Sequence, residues 1–288
     1  MEVTDITYNR TGERLFNTDL ACERHRADVS LPGVEFSRER TPIGEWERIK
    51  ISSEEGADSI GRPCGRYDTL TLPRMDALCD EGIEDATEEV ARELCVMCEA
   101  LGISPESILV VGLGNPSMTP DSVGCEAAQR VEATRHIREF DSSMFDALEC
   151  SEISVLTTGV TSRSGIDAAD TAAAVASRIK PDVIIAIDAL AAASPKRLGT
   201  TLQFCDTGIH PGSGVGADRR AIDEASTGSP VIAIGVPTVI DSRLLIDGEN
   251  DPKGTVGMLV CPKEIDTISK VAGRIIGGAI NQAFGISY

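Results

Sequence analysis

The chain has 288 residues, enough for one large α/β domain or two small ones with a sizeable core. Hydrophobic residues make up 41% and charged residues 25%, a globular balance, and aromatics at only 3% leave Ala, Val, Ile and Leu to build the core, as parallel sheets often do. Lys and Arg number 27 against 46 Asp and Glu, a formal charge of -19, which argues against binding nucleic acid through a basic face and suits either a basic partner or plain solubility.

The first residues, Met1-Glu2-Val3-Thr4-Asp5, lack the basic and apolar regions of a secretory signal, and no apolar run reaches transmembrane length. Nine scattered cysteines, an odd number, then imply mostly free thiols in a reducing cytoplasm. Residues 8–26 read as a short helix or flexible arm. It holds Asn17-Thr18-Asp19-Leu20-Ala21, an acid before small apolar residues, in which Asp19 also suits a helix cap. Residues 34–72 alternate as strands do, in Trp46-Glu47-Arg48-Ile49-Lys50-Ile51 and again from Gly65 to Leu72, and predict a strand pair at the edge of the sheet. Over 76–101 the apolar residues Leu78, Ile83, Val90, Leu94, Met97 and Leu101 recur at helical spacing. Cys95 and Cys98 have C-x-x-C spacing in that helix, with no second pair or nearby His, and suit core packing better than metal or redox chemistry.

Residues 109–124 organise the rest. A buried strand, Ile108-Leu109-Val110-Val111, feeds the turn Gly112-Leu113-Gly114-Asn115-Pro116, then a polar loop with Asp121 and a helix expected to run to about Arg138. Ser154 to Val160 reads as a strand, and 165–179 as an Ala-rich helix stopped by Lys180-Pro181. Asp182 to Leu190 is a buried strand with an acid at its far end. A short strand at 200–204, a Gly-rich loop over 206–218, a buried strand from Pro230 to Val236 and a C-terminal helix from Pro262 follow. Strand–helix alternation over 105–245 predicts a mainly parallel sheet with helices on both faces.

Asp121, Asp188 and Asp241 follow buried strands or their turns, and acids at the carboxyl ends of parallel strands face the crevice. Two such acids in one place cannot both ionise easily, so one is charged and one protonated, which is the pairing that activates water and protonates a leaving group. The alternative for Asp188 is a helix cap, and Asp241 is assigned to capping. His210 sits among Gly208, Gly212, Gly214 and Gly216, where a backbone could approach a ligand closely. The loop matches neither the dinucleotide nor the P-loop spacing, and peptide-backbone binding fits it better than phosphate.

With these residues in hand, the chain resembles the germination protease family of spore-forming bacteria, endopeptidases that degrade small acid-soluble spore proteins. The matching blocks are Thr18-Asp19-Leu20-Ala21, Glu54-Glu55-Gly56-Ala57, residues 110–124, Thr134-Arg135-His136, Asp188-Ala189-Leu190-Ala191-Ala192, Thr200-Thr201-Leu202-Gln203, residues 206–216 and residues 230–238. The resemblance implies a three-layer α/β/α sandwich around a mainly parallel mixed sheet, similar to hydrogenase-maturation proteases, with a hairpin region at its edge. It implies an atypical aspartic-type mechanism with Asp121 and Asp188 catalytic, and no cofactor or metal. His210, Gly208, Gly212 and Asn115 are the candidate substrate-binding residues. It further implies a zymogen with a propeptide over 1–19, self-cleavage between Asp19 and Leu20, a single peptidase domain over 20–288, a homotetramer, and residence in the forespore or spore core. The substrate would be small acid-soluble spore proteins, cut after an acid and before aliphatic-Ala, with no nucleic-acid or membrane partner. Two departures bear on assembly and substrate contacts. A short loop over 247–256 replaces a longer family segment, and Ala193 stands where an Arg is common. The alternatives are a metal-dependent maturation peptidase with Asp121 as ligand and a non-catalytic acidic binding protein.

Overall fold

Strands that are apolar on both faces need cover on both faces, and two helical layers supply it. The computed structural model describes residues 18–25, 31–212, 220–245 and 257–286. In chain order these form β1 (Val34–Arg40), β2 (Glu45–Ile51), α1 (Glu54–Ile60), β3 (Gly65–Thr71), α2 (Asp80–Ala100), β4 (Ser107–Leu113), α3 (Val123–Ala128), α4 (Arg135–Phe140), α5 (Ser142–Ala147), β5 (Glu152–Gly159), α6 (Thr161–Ser164), α7 (Ala168–Ile179), β6 (Val183–Ala192), β7 (Thr201–Cys205), α8 (Glu224–Thr227), β8 (Val231–Asp241), β9 (Leu259–Val260) and α9 (Ile265–Phe284). The strands make one mixed sheet in the order β1-β2-β3-β7-β8-β6-β4-β5, with β9 on β8. Pairing is parallel through β5, β4, β6 and β8, and antiparallel from β8 through β7, β3 and β2 to β1.

Side-chain alternation divides the core in two. Ile108 and Val110 of β4, Ile185 and Ile187 of β6, and Ile232 and Ile234 of β8 meet α2 and α9 on one face. Leu109, Val111, Ile184 and Ala186 meet Ala169, Ala172 and Ala176 of α7 on the other. The α9 stripe expected from the sequence, Ile265, Ile268, Val271 and Ile275, is buried in the first of these.

Several elements differ from the periodicity-based reading. The edge region has three strands rather than two. β1 was hidden because Glu35, Ser37, Arg38 and Glu39 break its apolar pattern, and such charges suit an outer strand. The helix expected from near Asp121 to Arg138 is broken. After α3 the chain must reach β5, where the Thr134 N–H donates to the Ile153 carbonyl (3.0 Å) and the Ile153 N–H donates to Thr134 Oγ1 (2.8 Å). β6 runs on to Ala192, two residues past the strand read from the sequence, so that four of its residues follow Asp188, and β8 continues through Pro237 to Asp241. Pro237 is tolerated because β7 pairs with β8 only as far as Gly235 and β9 begins opposite Ile240. All nine cysteines are free; Cys98, in the core, has its thiol pushed up to about 11 by burial, which favours packing over redox chemistry. The loop over 247–256 and residues 1–17 lie outside the described residues. No described helix is long and apolar enough to cross a membrane.

Candidate active site

β4 and β6 are parallel neighbours, so their carboxyl ends open on the same crevice. Two glycines bring the following segments close. Gly114 turns the chain at φ +99°, and a Cβ there would meet the Asp121 carbonyl oxygen at 2.0 Å. A Cβ on Gly124, in α3, would meet the Ile187 carbonyl at 2.3 Å, so α3 lies directly on β6 one residue before Asp188. Between them the single turn Thr119–Asp121 is pinned at its carbonyls. The Thr238 hydroxyl donates to Pro120 O (2.7 Å) and the Ser269 hydroxyl to Thr119 O (3.0 Å). The Asn115 N–H donates to the Asp121 carbonyl at 2.7 Å and closes the loop.

Asp121 and Asp188 both line one cavity of about 220 Å³. Its walls include Gly114, Gly159, Ala168, Leu190, Gly212 and Thr238, and it also receives Asp19. Asp188 is buried, and its Oδ1 accepts from the following Ala189 N–H at 2.9 Å. With no helix after it, the capping alternative for Asp188 does not apply. Asp241 behaves as assigned: it accepts from the Arg243 N–H (2.9 Å) and pairs with the Arg243 guanidinium, which holds its carboxyl below the usual range.

Cys125 was not singled out in the sequence. It lies buried beneath the acids, its thiol donating to the Leu113 and Gly114 carbonyls at 3.7 and 3.6 Å. Burial first, then the charges of Asp121 and Asp188, push that thiol up to about 11, so it stays protonated and is no nucleophile at neutral pH. Only its place in the three-dimensional fold could have drawn attention to it.

The other sequence candidates divide. Gly212 lines the cavity of the two aspartates. His210 and Gly208 line an adjoining pocket of about 50 Å³ with Arg62, Tyr67 and Gln203, and Asp19 and Leu190 border both spaces. Gly208 is needed there: φ is +80° and a Cβ would meet the Ile222 carbonyl at 2.3 Å. Asn115 does not line either space; its Oδ1 accepts from the Ser117 N–H (3.0 Å) and shapes the turn. Asp19 and Leu20 are part of the site region itself. Leu20 and Ala21 are fully buried, and Glu23 accepts from the Ala193 and Ser194 N–H groups at 2.7 and 2.8 Å. Ala193 thus contributes a backbone contact in which its side chain has no part. Among the described residues, no group of three or more His, Cys, Asp or Glu is arranged to hold a metal ion.

Comparison with known proteins gives these relations. A family model described as germination protease matches residues 17–249. The chain is 40% identical over 229 residues to the germination protease of Caldanaerobacter subterraneus subsp. tengcongensis, covering 78% of this chain and 69% of that protein. It is 33% identical to the germination protease of Clostridium perfringens, covering 92% and 94%, and 43% identical to that of Priestia megaterium, covering 78% and 63%. Among solved structures, the [NiFe] hydrogenase maturation protease HycI from Thermococcus kodakarensis aligns over 64% of this chain and 99% of its own at 18% identity. The TM-score is 0.36.

Proposed function

The chain belongs to the germination protease family and is thereby a peptidase, and from that premise we propose that it is the self-activating endopeptidase that starts the breakdown of small acid-soluble spore proteins during germination. In this reading Asp121 and Asp188 share one proton. The charged carboxylate takes a proton from a water as that water attacks the scissile carbonyl, and the protonated one delivers its proton to the leaving amine. The pair then holds one proton again. The observation that supports this reading is that the two acids, Asp121 in the turn after β4 and Asp188 within β6, line a single cavity together with Asp19. The His210 loop, with Gly208 and Gly212, positions the substrate backbone beside them. Cleavage follows an acid and precedes an aliphatic residue and Ala, and Asp19-Leu20-Ala21 is the chain's own copy of that sequence.

Residues 1–19 form a propeptide that keeps the enzyme inactive, residues 20–288 are the peptidase domain, and the protein acts as a homotetramer in the forespore and spore core. Asp121→Asn and Asp188→Asn are each expected to lower self-processing and substrate cleavage by a factor of about 10³ or more, with the fold kept. Mass spectrometry for loss of residues 1–19, together with a peptide assay, reads both. Full activity in either variant would overturn the mechanism.

A further inference from the structure

The segment at Asp19 is held in a way its own sequence does not require. Its N–H donates to the Ala191 carbonyl and its Oδ2 accepts from the Ala191 N–H, both at 2.9 Å. Its Oδ1 lies 3.8 Å from Arg62 Nη2, and that same nitrogen donates to the Thr18 carbonyl at 2.7 Å. The carboxamide of Gln203 spans the next peptide group: Nε2 donates to the Asp19 carbonyl (3.0 Å), and Oε1 accepts from the Ala21 N–H (2.7 Å). One side chain thus grips the backbone on both sides of the Asp19–Leu20 bond. Leu20 and Ala21 have no exposed surface, so the positions after the acid admit an aliphatic residue and then a small one. All of this adjoins the cavity of Asp121 and Asp188.

We propose that this seat is the subsite that reads the acid of the substrate, with Arg62 and Gln203 as its specificity-determining residues and Asp19 occupying it in the unprocessed chain. The inference rests on the endopeptidase reading above. Its logic is electrostatic. The Asp19 side chain is 11% exposed and that of Arg62 17%, so a carboxylate there has lost most of its water, and the guanidinium and the Ala191 N–H are among the groups that replace it. An isosteric amide can offer its oxygen to only one of these donors and turns an N–H toward the other. Donor against donor in a dry site is the arrangement that discriminates strongly. Gln203 selects nothing by charge; it fixes the register of the backbone, so that the bond after the acid is the one presented.

The test uses the full chain. D19N and R62Q are each expected to slow self-processing about tenfold or more, and the double variant by clearly less than the product of the two, because both remove the Arg62–Asp19 contact while only R62Q also loses the bond to the Thr18 carbonyl. R62K, which keeps the charge, restores most of the rate. A second readout does not depend on cleavage. In an Asp188→Asn background, hydrogen exchange at the Leu20 and Ala21 amides is accelerated about tenfold by D19N or R62Q, again without multiplying. Q203A accelerates the Ala21 amide, which loses its acceptor. Wild-type processing in R62Q, multiplying effects, or unchanged exchange would each overturn the assignment of the seat. Should the wild-type chain cut neither itself nor any peptide, the endopeptidase reading fails, and the exchange experiment still decides the seat by itself.

Discussion

At the scale of single residues, the site depends on positions where the backbone leaves no room. Gly114→Ala puts a methyl group on the Asp121 carbonyl oxygen in a left-handed conformation, so it is expected to destabilise the protein by about 2 kcal/mol or more and to displace Asp121. Thermal unfolding and peptide cleavage should fall together; a variant that loses activity at unchanged stability would show that the glycine serves the substrate instead. The cysteines make a second residue-scale test. Cys22 and Cys125 have thiols pushed up to about 11, chiefly by burial, whereas Cys64 and Cys79 are exposed. Alkylation of the native protein at neutral pH should label Cys64 and Cys79 and spare Cys22, Cys98, Cys125 and Cys205 until it unfolds. Mass mapping of the labels checks this.

At the scale of elements, α2 is tied to the antiparallel half of the sheet by a buried charge cluster. Glu93 of α2 pairs with Arg48 of β2 (2.7 Å) and Arg66 of β3 (3.1 Å), and Arg48 and Arg66 both also pair with Asp68. Burial, followed by hydrogen bonding to Asp68 and its charge, pushes the Glu93 carboxyl up from 4.5 to about 8, against the pull of Arg48. The folded chain therefore keeps a proton that the unfolded chain releases. Between about pH 4.5 and pH 8 this group's contribution to stability falls as pH rises, and above that window it is constant. Denaturant titrations across that range should show the slope, and Glu93→Gln should flatten it. A slope unaltered in that variant would place the pH dependence elsewhere. On the same face, Ile275 and Ile276 of α9 are fully buried against the parallel strands, and either change to Ala is expected to cost about 2–5 kcal/mol in unfolding experiments.

For the whole molecule the governing quantity is charge. With a net charge of -19, the field around the molecule attracts basic chains and repels acidic ones at long range. Cleavage of peptides with Lys- or Arg-rich flanks should slow as salt rises to physiological strength, where the screening length is about 8 Å, while neutral peptides of the same core sequence respond little. Equal salt responses would mean that the charge serves solubility alone.

Much of this protein was legible before folding. The apolar runs of β4, β6 and β8, the spacing in α2 and α9 and the small-residue core are local properties, because side-chain periodicity reports which faces are covered. Asp121 and Asp188 stood out as well, since strand ends and glycine turns mark where an α/β sheet opens. Local pattern could not say that β6 runs on past Leu190 to Ala192, that the helix after Asp121 breaks so that Thr134 can reach β5, or that β1 adds a third strand at the edge. Those outcomes follow from hydrogen bonds between segments distant in the chain. Nor could it join Asp19, Arg62, Gln203 and Cys125 to the two aspartates. Arg62 follows α1, Gln203 lies on antiparallel β7 and Cys125 on α3, and only the order and register of the strands bring them to one end of the sheet.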